Sequence, residues 1–434
     1  MGKMNSPVNA KRTIAELKEL RALTGDEDGA QRVAFTPVWV TAREWLRHKL
    51  AALPVETHAD AAGNLWTTLH GESERALLLG GHMDSVPNGG WLDGCLNVLA
   101  GVEILRRINT QYDGKPPVTV RLVDWADEEG ARFGKSLFGS SACSGNLNLT
   151  ESRGLKDKDG IPLPQALAAV GVDLERVKES GAERKNAAAY LELHIEQGPV
   201  LLDLDLPLGA VLGTFGVERH AITFHGQAAH SGSTPMNRRR DAFLAAAKMS
   251  LEIYTIAARS DGGVCTIGSC TTKPGIVTSV VEDCRVTLDQ RHLDARGLAM
   301  MLAEARAASE RFAGEGGVTV AWERLWQIEP VPFNDELIAL AEEAIRETCG
   351  TVHRLPSGPL HDAAEMGRAG IPTVMMFVQS LQGISHNKIE DTKEEHLELG
   401  VAAFDKLAEK TMRWMERRLK AEKRKAGKRK RGGN

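Results

Sequence analysis

Residues 76–85 read ALLLGGHMDS, and residues 118–130 read VTVRLVDWADEEG. In each, a strand-like apolar run ends in residues that can ligate metals or move protons: His82 and Asp84 in the first, Asp127, Glu128 and Glu129 in the second. Two further segments repeat the pattern. AAYLELHIEQG (188–198) carries His194 and Glu196, and PTVMMFVQSLQGISHN (372–387) reaches His386 through a glycine-containing loop. Short apolar runs bounded by turn residues predict buried strands, here at 65–69, 76–79, 118–125, 190–194 and 373–378. Between them, 92–108 has Leu96, Leu99, Ala100, Ile104 and Leu105 on one helical face. Alternation of strands and helices predicts an α/β fold: a mixed, largely parallel sheet with helices on both faces. Sites in open α/β sheets form beyond the carboxyl ends of strands, so the polar clusters can meet in one crevice. Asp93, in the loop GGWLDG (89–94) before the 92–108 helix, can reach it too.

Outward from this frame, 14–52 is helical with a polar break at 25–29. The 156–185 segment is polar and helix-prone, read as a surface excursion between two sheet strands. The texture changes near Gly213. Strands are expected at 217–225, 275–282, 284–290 and 318–325, and helices at 241–258 and 296–312. That β-α-β-β-α-β order predicts a ferredoxin-like α+β domain inserted into the first. The α/β pattern then resumes with a helix at 335–349 and a closing helix at 395–418. At 434 residues, two domains are expected: a discontinuous catalytic domain (1–213 and 328–416) and the insert (214–327).

Composition narrows the function classes. Residues 417–434 (RRLKAEKRKAGKRKRGGN) hold ten Lys/Arg and one Glu; the whole chain carries −4, leaving −13 on the other 416 residues. An acidic body argues against nucleic-acid binding, and the basic end is expected to be a disordered, solvated tail. No apolar run approaches the roughly 20 residues of a membrane span. The first twenty residues lack a signal peptide's apolar centre, and Met1-Gly2 with Ser6 is a poor myristoylation match. The six cysteines (95, 143, 265, 270, 284, 349) form no Cys-x-x-Cys pair. Reduced thiols in a cytoplasmic protein are expected.

Taken singly, a strand-end histidine is usually a satisfied surface or core residue, and a Glu-Glu pair a solvated face. Five such residues at successive strand ends are a different matter. Three histidines and two carboxylates, without thiolate, make a donor set for Zn²⁺, Mn²⁺, Co²⁺ or Ni²⁺. Two ions about 3.5–4 Å apart would need a bridging carboxylate. The His-x-Asp spacing predicts that the Asp84 carboxylate holds the second nitrogen of His82. Adjacent Glu128 and Glu129 suggest one carboxylate on a metal and the other taking a proton from attacking water.

With GGHMDSVPNGGWLDG, DEEGARFGKSLFGS, LELHIEQGPVL, HGQAAHSGSTPMNRRRDA, VTLDQRHLD, SGPLHDA and GISHNKIEDT in this order, the chain resembles the M20 metallopeptidase-like amidohydrolases from about residue 12 to 412. Within them it is most similar to the N-carbamoyl-L-amino-acid hydrolase, β-ureidopropionase and allantoate amidohydrolase branch. The resemblance implies two divalent ions per subunit: one on His82 and His194, one on Glu129 and His386, with Asp93 bridging. Glu128 would be the general base. A histidine at 194, where peptidase branches place a carboxylate, points to the carbamoylase-like branch. His230 would stabilise the tetrahedral intermediate, and related enzymes supply it across a homodimer interface. Arg291 would pair with a substrate carboxylate, and Gln197, Gly358 and His361 would contact substrate. The insert would serve as lid and dimerisation surface, hinged near Gly213 and Glu329.

Two departures fall where substrate should bind. Relatives commonly carry an Asn-containing segment where this chain reads PGIVTSVVEDC, placing Gly275 and Thr278 at the Asn positions. They also have Ala-Gly where Pro359-Leu360 stands in SGPLHDA. The expected activity is hydrolysis of a linear carbamoyl or amide C–N bond in a small carboxylate-bearing molecule, most of all an N-carbamoyl-L-amino acid. Alternatives are an allantoate- or ureidoglycolate-type ureide hydrolase, an N-acyl-amino-acid hydrolase or dipeptidase, and a non-catalytic metal-binding homologue.

Overall fold

The computed structural model describes residues 8–431. They form two compact units, one running to residue 212 and resuming at 333, the other spanning 213–332.

The first unit is built on a mixed sheet. Its centre is four parallel strands in the order Thr373–Val378, Ala187–Ile195, Ala76–His82 and Thr119–Trp125. Leu65–Leu69 and Glu56–Ala59 extend one side antiparallel, and Leu208–Thr214 the other. The apolar runs of Ala76–His82 and Thr373–Val378 are buried at every position, as parallel strands covered on both faces require. Helices Cys95–Tyr112, Asp335–Cys349 and Glu394–Arg431 pack on this sheet. The amino-terminal helices start where their caps direct. Asn9 accepts the Arg12 N–H ahead of Ala10–Thr24, and Thr36 accepts that of Trp39 ahead of Pro37–Leu50.

Two expectations for this unit need correction. The 156–185 segment is more than a surface excursion: Leu163, Leu167, Val172, Leu174 and Val177 are buried in an apolar cluster with Trp39, Phe133 and Phe138. Its few apolar residues are spaced by short helices rather than one long one, which hides their common face. The last helix also runs on to Arg431 rather than ending at 418 before a disordered tail. Lysine, arginine, alanine and glutamate are strong helix formers, so charge density alone does not end the helix. Residues 432–434 of the expected tail lie outside the described residues.

The second unit is a four-stranded antiparallel sheet in the order Val264–Lys273, Asp283–His292, Gly216–His225, Thr319–Ile328. Helices Ala242–Arg259 and Ala295–Gly316 cover the face that presents Ile222, Phe224, Cys284, Val286 and Leu288. Asp241 and Asp294 cap these helices through Phe243, Leu244 and Gly297 N–H groups. The β-α-β-β-α-β order is ferredoxin-like, as expected. One strand is elsewhere, however. The second strand is Val264–Lys273, not 275–282, of which only Ser279–Val280 is extended and pairs with Ala229–His230. Val264–Lys273 lies at the sheet edge and is mostly exposed, so it shows no apolar alternation. The apolar GIVTSVV run misled because Ile276 and Val277 are 59% and 98% exposed.

Candidate metal centre and active site

The parallel strands deliver their polar ends to one place. His82 closes its strand level with Trp125, and His194 stands level with Phe377. Asp93 arrives on the loop before Cys95–Tyr112, where Gly94 has a φ of +64° and a Cβ would lie 2.4 Å from the His82 ring. Only glycine allows that approach. Asp127, Gln197 and His386 also hold left-handed backbones, with φ of 57°, 59° and 54°. Each such non-glycine residue costs roughly 1–3 kcal/mol, and they gather at functional sites.

The site turns on the Asp93 carboxylate, which is 3% exposed. Its Oδ1 lies 3.1 Å from His194 Nε2 and 3.5 Å from His82 Nε2; its Oδ2 lies 3.4 Å from His386 Nε2. Glu129 Oε2 is 3.2 Å from the same His386 nitrogen. Thus His82, Asp93 and His194 form one group of ligand-capable atoms within 4.8 Å, and Asp93, Glu129 and His386 a second, sharing Asp93. Glu128 belongs to neither group and reaches within 3.7 Å of His82 Nε2.

The donors fit a cation. His82 Nδ1 lies 3.1 Å from the Asp84 carbonyl oxygen and His194 Nδ1 2.8 Å from that of Ile195. A carbonyl only accepts, so each ring carries a proton on Nδ1 and, when neutral, turns an Nε2 lone pair toward Asp93. Lone pairs facing a carboxylate repel unless positive charge sits between them. His82 Nε2 and Glu129 Oε1 are buried without a hydrogen-bond partner, a costly state that an ion would relieve. Without a cation, protons take that part. Burial lowers the His82 imidazole, but Glu128, Asp93 and Asp84 outweigh it and hold it well above the usual range. Asp93 raises His386 to about 9. Burial and Asp93 push Glu129 up to about 8, and burial pushes Glu128 well up. A divalent cation would reverse these shifts.

Asp84 departs from expectation. Its carboxylate is 3.7 Å from His82 Nδ1, which bonds the Asp84 backbone carbonyl instead. The carboxylate accepts the backbone N–H groups of Glu128 (3.3 Å) and Glu129 (3.2 Å). Asp84 therefore holds His82 by its main chain and the Glu128–Glu129 turn by its side chain. Two free N–H groups across the crevice are better partners than an imidazole already satisfied within its own turn.

Gln197 donates from Nε2 to Asp93 Oδ2 (2.8 Å) and Ser385 Oγ (3.0 Å). The His361 ring packs 4.4 Å from that of His194, and burial with the neighbouring His194 charge holds it well below the usual imidazole range. A cavity of about 190 Å³ is lined by Glu128, Glu129, Gln197, Pro359, Leu360 and His361, among others. Gly358 is the half-buried residue leading into Pro359.

Three expected site residues lie in the second unit. His230 is exposed, and its Nδ1 accepts the backbone N–H groups of Gly232 and Ser233, both at 3.1 Å. The neutral ring therefore carries its proton on Nε2. The Thr278 carbonyl accepts the Ser231 N–H at 2.9 Å, next to His230. Arg291 Nε donates to Asp289 Oδ1 at 2.8 Å.

Two buried carboxylates escaped the sequence reading. Glu390 accepts from Leu92 N, Asp93 N and Ser385 Oγ, and burial with nearby Asp93 pushes it up to about 7. Glu192, behind His194, accepts from Tyr190 and from Ala363 N. A sequence signal existed only for Glu390, four residues past His386 in the ISHNKIEDT segment.

A parallel-centred α/β unit thus brings histidines and carboxylates together at its strand ends in groups that could hold a metal ion. Residues 78–410 match Peptidase family M20/M25/M40, and the chain belongs to that family. It is 35% identical over 370 residues to an N-carbamoyl-L-amino acid amidohydrolase of Geobacillus stearothermophilus, covering 85% of this chain and 90% of that protein. It is 33% identical over 376 residues to an allantoate amidohydrolase of Escherichia coli (strain K12), covering 86% and 90%. A crystal structure of an amidase of the hydantoinase/carbamoylase family from Burkholderia multivorans superposes with a TM-score of 0.83 at 30% identity, covering 93% of this chain and 97% of that one. Within its family the chain stands with the amidohydrolases of non-peptide C–N bonds.

Proposed function

We propose that this chain is a divalent-metal amidohydrolase that cleaves a linear ureido or amide C–N bond, with an N-carbamoyl-L-amino acid as substrate. The observation that carries this reading is the shared Asp93 carboxylate, faced by three histidine Nε2 atoms and flanked by Glu128. His82 and His194 would hold one ion of Zn²⁺, Mn²⁺, Co²⁺ or Ni²⁺, Glu129 and His386 another, with Asp93 between them. Ions there would supply Lewis acidity and make water nucleophilic near neutral pH.

The residues of the chain do the rest. Glu128, buried and lining the cavity, takes a proton from water as its oxygen adds to the carbamoyl carbon. It returns that proton to the leaving amine nitrogen as the C–N bond breaks. The amino acid leaves, and the carbamate formed falls apart to ammonia and carbon dioxide. His230 donates its Nε2 proton to the developing oxyanion, as such donors do in water-poor sites. Arg291, its fork held by Asp289, pairs with the substrate carboxylate. Gln197 and His361, which line the cavity, would contact substrate, and by the family resemblance so would Gly358 and Thr278. A homodimer is supported by the apolar side chains that Ala242–Arg259 exposes, Phe243, Leu244, Leu251 and Tyr254. Six unbridged cysteines suit a cytoplasmic location.

Allantoate is the second reading, favoured by a relative of nearly equal identity. Ammonia release by ion-loaded protein from N-carbamoyl-L-amino acids and from allantoate decides between them. Turnover of a carbamoyl compound that Glu128→Gln abolishes supports the first reading. Turnover of allantoate alone selects the second, and none with ions bound removes both.

A further inference from the structure

We infer that Glu390 is a positioning residue that ties the Asp93 loop to the His386 loop and claims the Ser385 proton, leaving Asp93 Oδ2 free to meet a cation.

The carboxylate is 2% exposed and spans two segments nearly three hundred residues apart. Oε1 accepts the backbone N–H groups of Leu92 and Asp93, each at 3.1 Å. Oε2 accepts the Ser385 hydroxyl at 2.6 Å, one residue before His386. Its seat is shaped for it, because a Cβ on Gly90 would lie 2.0 Å from its carboxyl carbon. Any side chain at position 90 would have to displace that carboxylate.

The polarity of the hydrogen bonds gives Glu390 a use beyond tethering. Ser385 Oγ lies between two carboxylates, 2.6 Å from Glu390 Oε2 and 3.2 Å from Asp93 Oδ2. A hydroxyl has one proton to give. With the Glu390 carboxylate ionised, the form its two backbone N–H donors favour, the shorter contact takes it, and charge-assisted O–H···O⁻ bonds of this length are the strong ones. Ser385 Oγ then accepts from Gln197 Nε2 at 3.0 Å, and the same nitrogen reaches Asp93 Oδ2 at 2.8 Å. Asp93 Oδ2 is left with one amide donor and a lone pair toward His386 Nε2, 3.4 Å away. Were Glu390 an amide, it could keep its oxygen on the Leu92 and Asp93 N–H groups and turn its NH₂ to Ser385. The hydroxyl would then have to give its proton to Asp93 Oδ2, competing with any cation for that lone pair.

This inference rests on the proposed metal reading, and the test separates the two. Zn²⁺ affinity and stoichiometry are measured by competition with a chromophoric chelator on full-length wild type, Glu390→Gln, Ser385→Ala and the double variant, with Tm of each apo-protein. Losing an outer partner of a metal ligand typically costs roughly 10–100-fold in affinity. Glu390→Gln is expected to fold with a near wild-type apo Tm and bind Zn²⁺ at least about tenfold more weakly. Adding Ser385→Ala should recover most of that loss, since no misdirected proton remains, whereas a merely structural role for Glu390 would not be rescued. Glu390→Gln binding within about twofold of wild type, or a double variant no better than Glu390→Gln, overturns the inference. If Glu390→Gln does not fold, Ser385→Ala alone decides: near wild-type affinity supports a proton committed to Glu390, and a loss of about tenfold or more contradicts it. Wild type that binds no Zn²⁺ removes the metal reading and this inference with it.

Discussion

His194 Nε2 stands 3.1 Å from Asp93 Oδ1 while its Nδ1 donates to the Ile195 carbonyl at 2.8 Å. The main chain of the His194 strand thereby decides which nitrogen faces the carboxylate, and the neutral ring faces it with a lone pair. Ion binding should therefore stabilise the folded chain. At an ion concentration of 100 times Kd the gain is about 2.7 kcal/mol, which raises Tm by a few degrees in a unit of this size. Scanning calorimetry of chelator-stripped protein before and after adding Zn²⁺ or Mn²⁺ checks this. An unchanged Tm would argue against a cation beside Asp93.

Glu128→Gln keeps the shape of the side chain and removes its capacity to take a proton. Since Glu128 lies outside both ligand groups, the variant should retain its ions by elemental analysis. Its kcat should fall by at least about 10²-fold, the lower end of what a positioned general base contributes. Loss of metal in step with activity would make Glu128 a ligand instead.

His230 has its Nδ1 occupied by the Gly232 and Ser233 N–H groups, so the proton on Nε2 is the one it can offer. His230→Ala should lower kcat by about 10²–10³-fold, as removing an oxyanion donor does elsewhere. KM and ion content should change little. A variant in which KM alone rises would place His230 in ground-state binding.

Burial pushes the Asp289 carboxyl up, but the Arg291 and Arg219 guanidiniums outweigh it and hold it below the usual range. With a folded value under the unfolded one of about 3.9, its charge stabilises fully above that pH. The contribution is lost as pH falls through the folded value. In urea melts from pH 2.5 to 6, wild type should exceed Asp289→Asn by a constant margin at the upper end, shrinking below about pH 4. A margin that widens on acidification would contradict the pairing.

Thiol reactivity should be highest at Cys270 in the inserted unit. Cys270 is exposed, whereas Cys95, Cys143 and Cys284 are buried; burial raises Cys143 and Cys284 to about 12 each. A disulfide reagent should label Cys270 first in the native protein. Rapid labelling of Cys143, read by peptide mass, would mean that its buried site opens readily.

Much of this protein is settled by local sequence. His82, Glu128, Glu129 and His194 follow directly on apolar runs whose length and composition make buried parallel strands, and a strand's end is where its next side chains enter the crevice. The order of elements in 213–332 is likewise local, because helix period and cap residues such as Asp241 and Asp294 act within one turn. The edge strand Val264–Lys273 was illegible for the same reason. It buries no continuous face, so nothing in its pattern marks it, and only pairing with Asp283–His292 makes it a strand.

The tertiary structure alone decided which atoms meet. Asp84 lies two residues from His82, yet its carboxylate goes to Glu128 and Glu129 and its carbonyl to the imidazole. Glu390 stands four residues past His386 in sequence, but its partners are unreadable until the fold brings it under Leu92 and Asp93. Residue types and apolar periodicity are properties of the chain and survive in its sequence. Hydrogen-bond partners across hundreds of residues depend on where close packing leaves a donor without water, and that is set only once the chain has folded.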